Sequence, residues 1–187
     1  EYIASHQNSC NIIVEQAEDE IAALIMGIGA ANAGARSLVP TSGGGFSLMV
    51  EGLGLAGITE TPIVIVNMQR PGPATGLPTR TEQSDLLFAI HAHQGEFPRL
   101  VMAPHSPEEA FSTIVRAFNM ADFYQIPVIV LGDQYLADSL KTTTSFDFNS
   151  VKVDRGKLLD EEEANSLGGD YKRHLLTEDG ISPRAFP

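Results

Sequence analysis

Pro62-Ile-Val-Ile-Val-Asn-Met68 is the stretch that decides the fold. A nearly unbroken β-branched run suits a strand covered on both faces, as in the middle of a parallel sheet. The flanking sequence extends this reading in both directions. Upstream, Asn11-Ile-Ile-Val-Glu15 reads as a first short strand, and Glu20 to Gly34 places Ile21, Leu24, Ile25, Ile28 and Ala31 at helical spacing. Ser37-Leu-Val-Pro-Thr41 reads as a second strand, broken by Ser42-Gly-Gly-Gly45 before a helix over Phe46 to Ala56. Downstream, a loop rich in Pro and Gly from Arg70 to Thr81 precedes a helix from Glu82 to about His93, with Glu82 and Asp85 in its first turn, where acids favour the helix dipole.

Arg99 to Met102 reads as a further strand. Ser106-Pro-Glu-Glu109 supplies a cap, a Pro at the first helical position and a Glu three residues after the cap, so a helix starts there and runs to about Tyr124. Ile126-Pro-Val-Ile-Val-Leu131 is the last strand. This alternation predicts an α/β fold: a doubly wound, mostly parallel sheet of five or six strands with right-handed crossovers and helices on both faces. The domain is expected over 1–140. Residues 141–187, with the acidic run Asp160-Glu-Glu-Glu163, read as an extended linker towards a second domain outside this chain. A segment of that kind has no core of its own, so it should lie on its own domain or on a partner.

The chain has 187 residues, 43% of them apolar and 19% charged, which fits a globular protein of one domain with residues to spare. With 12 Lys and Arg against 24 Asp and Glu, the net charge of -12 argues against nucleic acid and anionic membranes as partners. The longest apolar stretch, Ile21 to Ala31, is short of the roughly 18 to 20 residues of a membrane span and has no basic segment before it, so the cytoplasm is the expected compartment. Cys10 is the only cysteine, too few for a disulfide or for the thiolates of an iron-sulfur or structural zinc site, and any such centre is expected on another chain. The chain begins at Glu1, in what reads as a short helix over Glu1 to His6, and is expected to be a piece of something larger.

Several short motifs compete for chemical roles. Gly52-Leu-Gly-Leu-Ala-Gly57 matches the dinucleotide fingerprint letter for letter, but it falls late in a helix rather than after a strand, so close helix packing is the better reading. Gly43-Gly-Gly45 lies between a strand and a helix, where backbone N–H groups can face a ligand; a plain tight turn explains it equally well. His91 and His93, two residues apart on a helix, point in roughly opposite directions and cannot share a metal. Glu15, Glu18, Asp19 and Glu20 gather at a helix start, where most acids are simply solvated. Glu20 leads straight into the apolar helix, a boundary that suits acid–base work, yet periodicity does not choose between Glu18 and Glu20. Arg70 ends the central strand, at the edge of the crevice where open parallel sheets bind ligands, and its planar fork matches a carboxylate. Pro71, Pro73 and Pro78 stiffen the loop behind it.

Thr41-Ser-Gly-Gly-Gly-Phe-Ser-Leu-Met49, followed by Met68-Gln-Arg-Pro-Gly-Pro-Ala-Thr-Gly-Leu-Pro-Thr-Arg-Thr-Glu-Gln-Ser-Asp85, resembles the α subunit of 2-oxoacid:ferredoxin oxidoreductases, most of all the 2-oxoglutarate branch. The resemblance runs through Glu178-Asp-Gly-Ile-Ser-Pro-Arg184, which in the family leads into a second α/β domain. It implies a thiamine diphosphate enzyme whose pyrimidine-binding domain is this chain, with the diphosphate site, Mg²⁺ and an iron-sulfur cluster on a β subunit. It implies oxidative decarboxylation of a 2-oxoacid to the acyl-coenzyme A, with electrons passed to ferredoxin. On this resemblance Glu20 contacts N1′ of the aminopyrimidine, Ser42 and Gly43 lie at the cofactor, and Arg70, Thr79 and Arg80 lie at the substrate. One departure is expected to matter. The family carries a Tyr-Pro-x-Thr-Pro segment, whose threonine helps bind substrate, just before the position matching Glu1; this chain lacks it and should be inactive alone. Two other readings compete: a non-catalytic flavodoxin-like scaffold, opposed by the presence of both Glu20 and Arg70, and the pyrimidine domain of a different thiamine enzyme, opposed by the Arg70 to Asp85 loop.

Overall fold

The computed structural model describes residues 2–186. Its sheet has strands β1 (Leu38–Ser42), β2 (Ile63–Gln69), β3 (Leu100–Met102) and β4 (Pro127–Asp133), all parallel, in the order β1-β2-β4-β3. The helices are α1 (Tyr2–Ser5), α2 (Gln7–Cys10), α3 (Glu20–Asn32), α4 (Gly44–Leu48), α5 (Val50–Ile58), α6 (Leu86–His91), α7 (Pro107–Tyr124), α8 (Gln134–Asp138) and α9 (Glu161–Leu167). Successive strand residues face opposite sides of a sheet. On β2, Ile63 and Ile65 enter a core formed with Leu24 and Ile28 of α3, Phe46 of α4, Leu53 of α5 and Ala89 of α6, while Val64 packs with Ala117 and Ala121 of α7. Every residue of β4 is buried, as a strand covered on both faces requires. Among the described residues no helix is long and apolar enough to cross a membrane.

The parallel α/β fold is therefore as the sequence predicts, with four strands rather than five or six. The missing strand is Asn11 to Glu15. Asn11 adopts φ 51° and ends α2, the Ile12 N–H donates back to the Gln7 carbonyl at 3.1 Å, and Ile12 and Ile13 are exposed and paired with no strand. β-branched residues favour a strand only where a sheet offers an edge and a packing face. The helix expected from Glu82 starts instead at Leu86, because residues 81–85 are held by side chains from the strand ends: Gln83 Nε2 donates to Asp133 at 2.7 Å, and the Asp85 N–H donates to Gln69 Oε1 at 2.9 Å. The helix expected over Phe46 to Ala56 is broken at Met49 into α4 and α5.

Past α8 the chain returns across the domain. Phe146 stacks on Phe111 of α7 with ring centroids 4.6 Å apart. The acidic run becomes the start of α9, where Asp160 accepts from the Glu163 N–H and the Glu163 side chain accepts from the Asp160 N–H. The anchor is Asp122 of α7, almost fully buried, whose carboxylate meets Arg36 Nε at 2.9 Å, Arg155 Nε at 2.8 Å and Arg184 Nη2 at 2.9 Å. Burial pushes the Arg184 guanidinium below its ordinary value, and the Asp122 charge opposes that shift.

Candidate active site

The loops that leave β1 and β2 at their C-terminal ends open onto the start of α3, and between them lies a cleft of about 680 Å³. Its walls are Glu20 of α3, the turn Gly43 to Gly45, Arg70 with the loop after it, and Asp85 and Phe88 at the start of α6. This is the crevice beyond the strand ends where open α/β sheets bind ligands. Phe88 closes the floor by meeting the buried Phe46 edge to face at 5.1 Å.

Glu20 owes its place to the cap before it. Asp19 is extended and accepts from the Ala22 N–H at 2.7 Å, which starts α3 and puts Glu20 in the first turn, half-buried. Glu18 lies before the helix, exposed and outside the cleft lining. No hydrogen bond ties the Glu20 carboxylate to another described residue. Its close neighbour is Gly45, where a Cβ would sit 2.6 Å from Glu20 Oε1 and would overlap Thr41 Oγ1. That hydroxyl is buried and has no hydrogen-bond partner among the described residues. A free carboxylate and an orphaned hydroxyl beside a cradle that any side chain would fill fit a flat heterocycle with donor and acceptor edges.

Arg70 faces them across the turn. Gly43 has φ 53° and ψ -114°, in the left-handed range that glycine tolerates, and a Cβ there would lie 2.6 Å from Arg70 Cγ and 2.7 Å from its Nε. The arginine stem is thus laid over a residue with no side chain. Its Nε is buried without a partner, and among the described residues Arg70 makes no ion pair although Glu20, Glu82 and Asp85 line the same cleft. An unpaired guanidinium offers a planar fork of N–H donors whose geometry matches a carboxylate.

The other residues assigned from the sequence are placed differently. The Ser42 hydroxyl donates to the Met68 carbonyl at 2.8 Å, pinning β1 to β2, and Ser42 does not line the cleft. Thr79, at φ 64°, and Arg80 are exposed and also outside the lining. The loop turns away before reaching them, because the Leu77 N–H donates to the Pro71 carbonyl at 3.0 Å. Glycines of the Gly52 to Gly57 motif serve packing: a Cβ at Gly52 would lie 2.8 Å from Leu24 Cδ2, and one at Gly54 would overlap the His93 ring.

Sequence reasoning passed over Gly45 as a contact of Glu20, the orphaned Thr41, and the wall formed by Glu82, Ser84 and Asp85, of which it assigned Glu82 and Asp85 to a helix dipole. A signal for that wall was present in the central strand. Asn67 and Gln69 are polar residues two apart on one face of an otherwise apolar run, so they point to the same side of the sheet and must be satisfied there. Asn67, 0% exposed, donates through Nδ2 to Asp85 Oδ2 at 3.0 Å, and Gln69 Oε1 accepts from the Asp85 N–H.

The geometry has close counterparts among known proteins. A solved structure of 2-oxoglutarate:ferredoxin oxidoreductase from Magnetococcus marinus, with 2-oxoglutarate, coenzyme A and succinyl-CoA bound, superposes with a TM-score of 0.92 at 44% identity, covering 100% of this chain and 32% of that one. The α subunit of 2-oxoacid:ferredoxin oxidoreductase 1 from Sulfurisphaera tokodaii is 50% identical over 186 residues, 98% of this chain and 29% of that protein. The 2-oxoglutarate synthase subunit KorA of Archaeoglobus fulgidus is 48% identical over 170 residues, 89% of this chain and 47% of that protein. The chain thus spans less than half the length of each of these relatives. Its residues 1–183 match the pyruvate flavodoxin/ferredoxin oxidoreductase, thiamine diphosphate-binding family, and to that family this chain belongs.

Proposed function

We propose that this cleft takes the aminopyrimidine of thiamine diphosphate and the carboxylate end of a 2-oxoacid. The protein then works as part of a 2-oxoglutarate:ferredoxin oxidoreductase in the cytoplasm. In that reaction the substrate loses CO₂, the acyl group passes to coenzyme A, and an electron pair leaves singly to ferredoxin. The observation that carries this reading is the pairing of a half-buried Glu20, free of hydrogen-bond partners, with an unpaired Arg70 in one cleft. Bound there, the cofactor supplies a nucleophilic carbon and a sink for the electrons left when CO₂ departs. Glu20 holds a proton between its carboxyl and N1′ of the pyrimidine and so sets the protonation state of the ring. The Gly43 to Gly45 turn admits the ring close to the backbone. Arg70 grips the substrate carboxylate with two parallel N–H donors and fixes its direction of approach.

A partner β subunit would hold the diphosphate, Mg²⁺ and an iron-sulfur cluster, since one cysteine on this chain supplies no cluster. The lining of the cleft supports a partner domain: Leu48 and Phe88 are exposed within it, apolar surface of the kind that marks an interface. The test is native mass spectrometry of the assembled protein with thiamine diphosphate analysis, followed by an assay of 2-oxoglutarate- and coenzyme A-dependent ferredoxin reduction. Absence of bound cofactor, or reduction that ignores 2-oxoacids, would overturn the reading.

A further inference from the structure

The cleft presents a puzzle of restraint. One guanidinium and three carboxylates, those of Glu20, Glu82 and Asp85, share its lining, and the guanidinium pairs with none of them. Within one cleft a flexible Asp or Glu would be drawn to a free arginine. Asp85 and Glu82 are held elsewhere by hydrogen bonds, and Glu20 only by the place of its backbone. Asp85 is fixed twice: its N–H donates to Gln69 Oε1 at 2.9 Å and its Oδ2 accepts from Asn67 Nδ2 at 3.0 Å. Glu82 Oε2 accepts from the Ser84 hydroxyl at 3.0 Å. Glu20 is anchored by the start of α3 and lies against Gly45. On the other side, the Arg70 stem rests over Gly43, where a Cβ would lie 2.6 Å away.

The Asn67 contact carries a cost. Asn67 is 0% exposed in the central strand, and its Oδ1 is buried with no partner. A buried polar side chain that leaves half its hydrogen-bonding capacity unmet weakens the fold, and a valine or isoleucine in its place would continue the run. We propose that Asn67 is a positioning residue that tethers Asp85 so that it cannot collapse onto Arg70 and occupy the fork meant for a substrate carboxylate, with Ser84 tethering Glu82 to the same end. This inference rests on the reading of Arg70 as the carboxylate clamp. The tether acts by keeping the binding-competent state populated. Were Arg70 free only a tenth of the time, the apparent affinity for the 2-oxoacid would fall about tenfold.

The experiment is a double-mutant cycle in the assembled enzyme, read as KM and kcat for 2-oxoglutarate and KM for coenzyme A. Asn67→Leu releases Asp85 and is expected to raise KM for the 2-oxoacid about tenfold with kcat and KM for coenzyme A held, because the competing ion pair is broken once substrate is bound. In an Asp85→Asn background no carboxylate remains to compete, and Asn67→Leu should leave KM where Asp85→Asn alone sets it. An equal rise in both backgrounds would make Asn67 a packing residue and overturn the proposal, as would no rise in either. Should Asn67→Leu fail to assemble, Ser84→Ala on the exposed loop releases Glu82 and must raise the same KM; a silent Ser84→Ala then overturns the proposal. Arg70→Lys in the same assay separates the two layers. If it leaves KM unmoved, the clamp reading falls and the tether with it, whereas a raised KM beside a silent Asn67→Leu overturns the tether alone.

Discussion

Gly45 stands against the carboxylate of Glu20 so closely that a single added carbon would lie 2.6 Å from Oε1 and 2.8 Å from Cγ. Contacts that short force one partner to move, and the side that is free to move is the carboxylate. Gly45→Ala is therefore expected to displace Glu20 from its cleft position and to press on the buried Thr41 hydroxyl of β1, with which the added carbon would overlap. The measurement is turnover of the assembled protein beside its thiamine diphosphate affinity, with a fall in turnover on the order of 10²-fold, the usual cost of displacing a positioned group by about 1 Å. Unchanged affinity and turnover would show that the cleft tolerates the methyl and that Glu20 is not confined by it.

Glu20→Gln keeps the shape and removes the charge. The exchange of the cofactor's C2 proton with deuterium should slow by roughly 10² to 10⁴, the usual contribution of a positioned acid–base group. Exchange at the wild-type rate would take Glu20 out of the chemistry.

Asp122 serves three guanidinium groups at once, with Arg184 only 6% exposed in its side chain and Asp122 at 4%. Asp122→Ala strands those cations without a counter-charge, and removing one partner of a buried ionic group typically costs about 3–5 kcal/mol. Denaturant unfolding should report a lowered midpoint, and proteolysis should find residues 151–186 cut first, because Arg155 and Arg184 fasten that segment to α7. A loss below about 1 kcal/mol would mean that water reaches the cluster and screens it.

Asp179 offers a pH signature. The Lys157 ammonium at 2.6 Å, then the Thr177 hydroxyl and the Ile181 N–H, hold its carboxyl down at about 2, from an ordinary value of 3.8. A carboxyl whose folded value is depressed contributes stability above its unfolded value and loses it as the pH falls through the folded one. The turn over Thr177 to Ile181 is thus expected to hold at pH 4 and to loosen between about 3.8 and 2. Titration of the carboxyl carbon by NMR checks this, and a midpoint near 3.8 would show that the Lys157 contact does not persist in solution.

Much of this architecture was legible in the chain because its signals are local. Ser106-Pro-Glu-Glu109 marks the start of α7 to the residue, since cap, proline and acid are properties of one short segment. β2 and β4 were readable because burial on both faces leaves an unbroken apolar run. Asn11 to Glu15 misled because a strand is a relation to a neighbour, and propensity carries no information about whether an edge lies within reach. The same limit applied to the cleft. Arg70 could be singled out at the end of its strand, and Glu20 only with the family resemblance, since periodicity left Glu18 as its equal, whereas Asp85 depends on Asn67 and Gln69 across the loop, a pairing that exists only once the chain has folded. Thr79 and Arg80, placed at the substrate on the family resemblance, lie outside the lining of this cleft, on a loop that a hydrogen bond from Leu77 back to Pro71 closes before it reaches them.

The loop from Arg70 to Asp85 hangs at both ends from one strand, β2, through its last backbone step at one end and through Asn67 and Gln69 at the other. Its two termini are thereby surveyed points whose separation does not depend on what lies between them. Gly76, at φ 57° with no room for a side chain beside the Pro71 carbonyl, and Leu77, which donates to that carbonyl, are fixed by the loop, whereas Pro78, Thr79 and Arg80 are exposed and are the residues whose exchange is least expected to move the arginine or the aspartate. For an engineer this makes Pro78 to Arg80 a graft point, a place to add or exchange surface while the strand that carries the cleft goes untouched.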